Sequence, residues 1–434
     1  MKKILPMQHG LRGEIEIPGD KSISHRAIMF SSLGSTPVEI SNFLHGADCL
    51  STVDCMKKLG ANIEICGEKI LVTGNGLHGL KEPENFLDAG NSGTTLRLLL
   101  GLTAPQKFFV TFTGDDSLRQ RPMGRVIKPL QEMGATIVGR NKNKNLLISV
   151  LPPVRKLHGI NYKMPVASAQ VKSAIILAGL FADGVTKIIE PAPSRDHTEK
   201  MLSAFGVRLE KFNNLIKIFP AKKLTAPEKI VVPGDISSAA YWIVLASILK
   251  DSEVTIKNVG VNETRSGIID IMQKMGAKIE FLNERQSGGE KVADLKIFYS
   301  NLHGVEFGGE IIPRLIDEIP ILAVAAAFAE GETIIRDVGE LRVKETDRLK
   351  AIEEFNKISP GICETAEDSL IIHGGRTKKF ASCKTFSDHR MAMSLSILGA
   401  AAEGIEIDDA DCVKISYPNF FKHFEVQEQA NYFQ

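Results

Sequence analysis

Pro18-Gly19-Asp20-Lys21-Ser22-Ile23-Ser24-His25-Arg26 decides how this chain is read, because a shorter echo, Pro233-Gly234-Asp235-Ile236-Ser237-Ser238, returns in the second half. In both, a Pro-Gly-Asp turn precedes an apolar helix. Four further openings of this kind stand at Gly90-Asn91-Ser92-Gly93-Thr94-Thr95-Leu96-Arg97, Ala167-Ser168-Ala169-Gln170-Val171-Lys172, Leu315-Ile316-Asp317-Glu318-Ile319-Pro320 and Ser387-Asp388-His389-Arg390. The six openings fall at intervals of roughly 70–80 residues, which marks an internal structural repeat. Free backbone N–H groups and the helix dipole make such N-termini natural anion sites. Several of them, converging with arginines, would hold a small substrate carrying many negative charges.

Each opening helix is followed by a strand and then by a second helix with a recurrent ending. Leu59-Gly60-Ala61-Asn62-Ile63 returns as Met133-Gly134-Ala135-Thr136-Ile137, as Phe205-Gly206-Val207-Arg208-Leu209 and as Met275-Gly276-Ala277-Lys278-Ile279. The glycine fits the left-handed position that stops a helix, and the alternating apolar residues after it read as a strand. A fifth copy, Ala351 to Phe355 followed by Ile362-Cys363-Glu364, lacks that glycine. The second helices are expected after Asp48, Arg121-Pro122, Ser194-Arg195-Asp196, Thr264-Arg265 and Lys344-Glu345-Thr346-Asp347. Asn141 to Asn145 and Ser287-Gly288-Gly289 read as hairpin tips. Six such units divide three and three. The Pro-Gly-Asp twins place one crossover near Gly19 and the return near Pro233, so that the N-terminal strand Arg12 to Ile17 completes a domain formed by the C-terminal half. Stacked repeats are expected, because one unit cannot bury its own apolar face.

At 434 residues the chain exceeds one ordinary domain, and 43% hydrophobic with 24% charged residues is the balance of a globular protein with a large core. A formal net charge of +1 argues against nucleic-acid or membrane-surface partners, so any basic site is local. The start, Met1-Lys2-Lys3-Ile4-Leu5-Pro6, has no apolar run of the signal-peptide kind, and the longest apolar stretch, Ile319 to Ala329, is of core-helix length. Cys49, Cys55, Cys66, Cys363, Cys383 and Cys412 form no zinc-like spacing and are expected to be reduced and structural in a cytoplasmic protein.

The local evidence at each opening admits a bland and a chemical reading. Lys21 and Arg26 flank Ser22 and Ser24, as solvated cations on a capped helix or as an anion grip. Gly93 lets backbone approach a ligand closely, with Arg97 one turn on, though no Walker lysine follows. Arg121 stands before Pro122, taken as the first residue of a helix, where a guanidinium either lies exposed or grips phosphate or carboxylate. Ser168 and Gln170 offer uncharged hydrogen-bonding groups, and Ser194-Arg195-Asp196 resembles a helix cap. Asp317 and Glu318 suit a helix dipole, yet Asp317 beside lysines also suits a general base. Lys344 and Arg348 share a face in a charge-dense stretch of the kind that is usually solvated; Lys414 is expected to end a short strand.

Taken together, PGDKSISHRA, DAGNSGTTLRLL, RQRPMGR, ASAQVKSA, PSRDHT, RLIDEIP, LRVKETDRL and SDHRMAMS, in that order, resemble the EPSP synthase (3-phosphoshikimate 1-carboxyvinyltransferase) family over essentially the full chain. The resemblance implies an α/β (α+β) fold of two similar lobes, each of three βαβαββ repeats, an inside-out α/β barrel-like arrangement. One lobe would comprise residues 1–19 and 233–434 and the other 20–232, with the substrate in the cleft between them. It implies transfer of the enolpyruvyl group of phosphoenolpyruvate to the 5-hydroxyl of shikimate 3-phosphate in aromatic amino acid biosynthesis, by a cytoplasmic monomer with no cofactor, metal, nucleic-acid or membrane partner.

Carried over position by position, Lys21, Ser22, Arg26, Ser168, Gln170, Arg195, Asp317 and Lys344 correspond to shikimate-phosphate contacts. Lys21, Gly93, Arg121, Gln170, Arg348, Arg390 and Lys414 correspond to phosphoenolpyruvate contacts. Asp317 is then the base on the hydroxyl and Glu345, with Lys21, the acid–base group at the methylene carbon. Closure of the lobes on shikimate 3-phosphate is expected. Leu98 and Ala169 depart from the pattern of many plant and enterobacterial-type members and match the other branch of the family; Gly93 keeps glycine, which leans toward glyphosate sensitivity. The sister transferase acting on UDP-N-acetylglucosamine carries a cysteine in the loop of the second unit, and Asp115 to Arg125 contains none. A non-catalytic phospho-ligand binder would be expected to lack Asp317, Glu345 or Lys21, and all three are present.

Overall fold

Apolar alternation builds the strands. In Asn145–Leu151 the buried positions are Leu146, Ile148 and Val150, and in Lys69–Thr73 they are Ile70 and Val72. Each side chain set faces one layer of helices, as a period of two demands. The computed structural model describes residues 1–143, 145–375 and 378–429. It divides into two units: Met1–Pro18, Pro233–Gln286 and the described chain from Lys291 onward form one, and Gly19–Val232 with Ser287–Glu290 form the other.

The Gly19–Val232 unit holds three four-stranded sheets of one design. Asn161–Lys163 and Thr186–Ile189 run parallel, Thr186–Ile189 runs antiparallel to Leu215–Ile218, and Leu209–Phe212 closes the edge as a hairpin partner. Parallel neighbours need a crossover, and the opening helix Ala169–Gly179 supplies it. Leu87–Asp88, Val110–Thr113, Asn145–Leu151 and Thr136–Gly139 repeat the order. In the remaining sheet Val38–Ser41 receives its parallel neighbour, Lys229–Val231, from the far end of the unit.

The other unit mirrors that arrangement. Arg12–Glu16 is the parallel neighbour of Glu253–Gly260, in the sheet completed by Glu290–Phe298 and Lys278–Ser287. Glu306–Phe307, Glu332–Arg336, Ser369–His373 and Cys363–Thr365 form a second sheet. The two Pro-Gly-Asp turns are thus the two points where a leading strand is exchanged. A Cβ on Gly19 would lie 1.8 Å from Asn42 O, and the Gly234 amide donates to Asn258 O at 2.7 Å. Asn42 and Asn258 occupy matching left-handed conformations, φ 54° and 56°. Only glycine tolerates the first approach, which is why both turns keep it.

The second helices end as expected, with Gly60, for example, at φ 96° after Ala47–Lys58. The helix expected to begin at Pro122 instead runs Gly124–Glu132, because Arg121 and Pro122 are used in the extended link after the short helix Asp116–Gln120. The sixth repeat also departs from the pattern. Its sheet has three strands, with Lys2–Ile4 antiparallel to Ile405–Ile407 and Ala381–Cys383 parallel to it. Lys414, expected to end a strand, lies in the 3₁₀ turn Asp411–Ile415: Lys2–Ile4 takes the place beside Ile405–Ile407 that a following hairpin strand fills in the other repeats.

Each unit has its own apolar core. Ile236–Ile248, Ile319–Phe328 and His389–Ala400 pack on one another in one unit, and Gly93–Thr103 packs on Lys21–Ser32 and Ala169–Gly179 in the other. Helices apolar on every side belong inside. Their charged residues stand within the first two turns, at Lys21, Arg26, Arg97, Lys172 and Arg390. The expectation of an α/β fold with two sets of three βαβαββ repeats holds.

Candidate active site

In the Gly19–Val232 unit the opening helix Lys21–Ser32 is capped by Asp20, whose carboxylate accepts from the Ile23 amide at 2.8 Å. This leaves Lys21 at the first turn with its ammonium 3.1 Å from Asp48 Oδ2, both largely shielded from solvent. Arg26 is buried. Its Nε donates to Thr198 Oγ1 at 2.6 Å, and its terminal nitrogens donate to Ser22 O at 2.9 Å and Ser173 Oγ at 2.8 Å. Burial lowers its pKa to about 10, against the opposing pull of Glu199 and Asp20. Arg26 therefore fixes the backbone of Ser22 as well as carrying charge.

Ser92 caps Gly93–Thr103, and Ser168 caps Ala169–Gly179. Gln170 joins the two helix starts: its Oε1 accepts from Arg97 at 2.5 Å and its Nε2 donates to Thr94 Oγ1 at 2.9 Å. Arg121 is held at 2.6 Å by Asn91 Oδ1. A Cβ on Gly93 would come within 2.7 Å of one Arg97 nitrogen and 3.4 Å of one on Arg121. Gly93 thus sits under two guanidinium groups. Gly93→Ala is expected to fold, since the clashing atom ends a flexible side chain, but to displace the Arg97 guanidinium from Gln170. A crystal structure of the variant checks this; an Arg97 still bonded to Gln170 would contradict it.

Arg195 is half-buried, and its charge opposes that of Arg26. The Ser194-Arg195-Asp196 segment does not cap in the expected way: Asp196 occupies the cap position but pairs with Lys200 at 3.4 Å, and Ser194 donates to Glu190. Glu190 is drawn away by Lys172, a fully buried ammonium 3.0 Å from Glu190 and 2.7 Å from Glu199. Burial disfavours the Lys172 charge, but these two carboxylates outweigh it and raise the pKa.

A buried chain of hydroxyls ties the first two repeats together. His25 Nδ1 lies 2.6 Å from Thr52 Oγ1, which lies 2.6 Å from Thr95 Oγ1, which donates to Ser92 Oγ at 2.8 Å. Burial, then the Lys21 and Arg26 charges, holds the His25 pKa well below its ordinary 6.5. With the folded value depressed, the unfolded chain binds more protons on the acid side. This contribution to stability is therefore complete above about pH 6.5 and declines as the pH falls below it toward the folded value. His25→Gln keeps a partner for Thr52 and should make the fall in melting temperature on acidification shallower; an identical slope would contradict the assignment.

In the other unit the fifth and sixth openings meet. Asp317 lies in the 3₁₀ turn Ile316–Glu318, with Oδ1 3.1 Å from Lys344 Nζ and 3.4 Å from Arg348, and Oδ2 4.0 Å from Arg390. Arg348 is buried and forks onto Asp388 at 2.8 and 3.3 Å while reaching Glu345 at 2.6 Å. Asp388 also caps His389–Ala400 by accepting from Arg390 N. Burial works against the Arg348 charge, yet Asp388 and then Glu345 outweigh it and raise its pKa. Arg390 is raised likewise, burial being overcome first by Asp317. Of the stretch that reads as solvated charge, Arg348 is thus buried and Lys344 to Asp347 are half-buried, the helix starting only at Arg348.

Among the sequence-derived site residues of this unit, Asp317, Lys344, Glu345, Arg348 and Arg390 come together. Lys414 does not join them; it is exposed and bonded to Asp411 at 2.5 Å. Three neighbours escaped the sequence reading. Glu318 is fully buried and accepts from Ser237 Oγ at 2.5 Å and Arg265 at 2.8 Å. The fourth opening therefore supplies Ser237, and the turn before its second helix, Gly267–Lys274, supplies Arg265. The adjacency of Thr264-Arg265 to a helix start, the position held by Arg121 in the second repeat, was the available signal.

The cysteines make no disulfide. Burial pushes Cys55, Cys363, Cys383 and Cys412 up to about 12, which removes them as nucleophiles.

A family model described as EPSP synthase (3-phosphoshikimate 1-carboxyvinyltransferase) matches residues 6–424. A 3-phosphoshikimate 1-carboxyvinyltransferase of Thermoanaerobacter sp. (strain X514) is 54% identical over 96% of this chain and 97% of its own length. Its counterpart in Bacillus subtilis (strain 168) is 50% identical over 95% and 96%. The solved EPSP synthase of Acinetobacter baumannii superposes with a TM-score of 0.87 at 41% identity, covering 98% of this chain and 97% of that one. The charged helix openings, the exchange of leading strands and this full-length likeness agree: the chain belongs to the EPSP synthase (3-phosphoshikimate 1-carboxyvinyltransferase) family.

Proposed function

We infer that this protein transfers the enolpyruvyl group of phosphoenolpyruvate to the 5-hydroxyl of shikimate 3-phosphate, releasing phosphate, in aromatic amino acid biosynthesis. The full-length relatives carry that name, and the observation within the chain that carries the reading is the Asp317–Lys344–Arg348–Glu345 cluster. It places a carboxylate suited to proton abstraction 3.1 to 3.4 Å from two cations, beside a second carboxylate suited to proton transfer.

In this reading Asp317 takes the hydroxyl proton as the oxygen attacks the central carbon of phosphoenolpyruvate. Glu345, assisted by Lys21, delivers a proton to the methylene carbon, giving a tetrahedral adduct. Phosphate then leaves from the central carbon while the new methyl group returns a proton to Glu345, and the enol ether forms. Arg121, Arg348 and Arg390 stabilise the charge on the departing phosphate. Lys344 and Arg348, 3.1 and 3.4 Å away, balance the charge of the Asp317 carboxylate. Holding both reactants in register contributes several kcal/mol, and preorganised cations add the electrostatic part.

Shikimate 3-phosphate is assigned to Lys21, Ser22 with Arg26 behind it, Ser168, Gln170 and Arg195, together with Asp317 and Lys344. Phosphoenolpyruvate is assigned to Lys21, Gly93, Arg121, Gln170, Arg348 and Arg390, and to Lys414 once it leaves its present partner Asp411. Both lobes, residues 1–19 with 233–434 and residues 20–232, contribute to the one reaction. The reading includes a cytoplasmic monomer; no helix among the described residues is long and apolar enough to cross a membrane. Phosphate release measured with phosphoenolpyruvate plus shikimate 3-phosphate, against phosphoenolpyruvate plus UDP-N-acetylglucosamine, tests the assignment. Release with the first pair alone is expected, and release with the second alone would overturn it.

A further inference from the structure

Glu318 stands at the cap position of Ile319–Phe328 yet makes no side-chain bond to that helix. Its fully buried carboxylate turns to the neighbouring helix start, accepting from Ser237 Oγ at 2.5 Å and from Arg265 at 2.8 Å, and lies 3.6 Å from Arg390. Arg265 and Arg390 both donate to the same Ser237 hydroxyl, the latter at 3.3 Å. Asp235 stands 3.8 Å from Arg265.

Two guanidinium groups that share one hydroxyl repel each other unless a carboxylate lies between them, and Glu318 provides that charge. It also supplies a second direction of pull on Arg390. One terminal nitrogen of Arg390 lies 4.0 Å from Asp317 and 3.3 Å from the Ser237 hydroxyl, and the other lies 3.6 Å from Glu318. Without Glu318 the Arg390 guanidinium would be drawn toward Asp317 and pushed by Arg265. A carboxylate that served only the fold would have bonded its own helix start, as Asp388 does.

We propose that Glu318, Arg265 and Ser237 form a positioning network that sets the Arg390 guanidinium for the anionic enolpyruvyl donor. None of the three touches substrate; they act through Arg390. The inference rests on the function proposed above, in which Arg390 meets phosphoenolpyruvate.

Two variants test it. Glu318→Gln keeps the shape and removes the charge. The double substitution Arg265→Met with Glu318→Met removes both charges at similar volume, a change that buried pairs often tolerate without loss of stability. In both, the KM for phosphoenolpyruvate is expected to rise about 10- to 100-fold, the scale on which a displaced charged contact acts, while the KM for shikimate 3-phosphate stays within about twofold. In an Arg390→Lys background the same substitutions should add little. Glu318→Asp, too short to span the cluster, should not rescue. A folded double variant with an unchanged phosphoenolpyruvate KM, or effects that simply multiply with Arg390→Lys, would overturn the proposal. Wild-type turnover in the same assay separates the two levels: its absence refutes the function, whereas its presence with silent variants refutes only the network.

Discussion

Asp317→Asn is expected to lower kcat by about 10²- to 10⁴-fold, the range supplied by a positioned general base, with the far-ultraviolet circular dichroism of the wild type retained. The substitution is nearly isosteric, and Asp317 lies in a short 3₁₀ turn whose neighbours Ile316 and Glu318 are buried independently of it. Two effects add in the same direction. The base is lost, and Lys344 and Arg348 lose the carboxylate 3.1 and 3.4 Å away that balances them. The second effect also weakens the setting of Arg390. Steady-state turnover within a few-fold of wild type would show that another group removes the hydroxyl proton.

Arg348→Met should have the largest effect on stability, about 3–5 kcal/mol, because it breaks a buried pair and leaves carboxylates behind without their cation. Arg348 is 1% exposed and Asp388 is fully buried, with the guanidinium forked across both Asp388 oxygens. Asp388 caps His389–Ala400, so its disturbance reaches a core helix. Arg348→Lys retains a charge but cannot fork, and should fall between wild type and Arg348→Met. Urea unfolding followed by circular dichroism measures this; midpoints unchanged in both variants would mean that the pair contributes nothing net to the fold.

The signals legible in the sequence were local ones. A glycine such as Gly60 in the left-handed region followed by alternating apolar residues depends on nothing distant, and four repeats could be aligned on it. The exchange of leading strands was legible because Gly19 and Gly234 keep the same turn against Asn42 and Asn258. What failed depended on tertiary pairing. Lys414 was expected in a strand, but the edge it would need is occupied by Lys2–Ile4 from the other end of the chain. Pro122 was expected to start a helix, but the Arg121 side chain is tied to Asn91, thirty positions earlier, and the helix begins two residues later.

Burial of charge was the least legible property. Lys344 to Arg348 has the composition of a solvated helix, and the carboxylates that compensate the buried Arg348 include Asp388, 40 residues on, and Asp317, 31 residues back. Glu318 lies 81 residues from Ser237 and 53 from Arg265, and no local pattern links them. Nothing local marks the fourth opening for chemistry, because its contribution is a hydroxyl that meets Arg265 of its own repeat and Arg390 of the sixth. Family resemblance named the residues carried over position by position; it did not reveal which of them are held rigidly from behind.

This chain joins the enolpyruvyl group to shikimate 3-phosphate. Phosphorus NMR of the purified protein mixed with phosphoenolpyruvate and shikimate 3-phosphate follows donor, acceptor, product and free phosphate together. The account predicts that the two substrate signals fall in step, that free phosphate and the signal of the enolpyruvyl ether rise in equal amounts, and that Asp317→Asn slows all four alike. Free phosphate appearing without the ether signal, or no change in any signal while a UDP-N-acetylglucosamine control reacts, would contradict it.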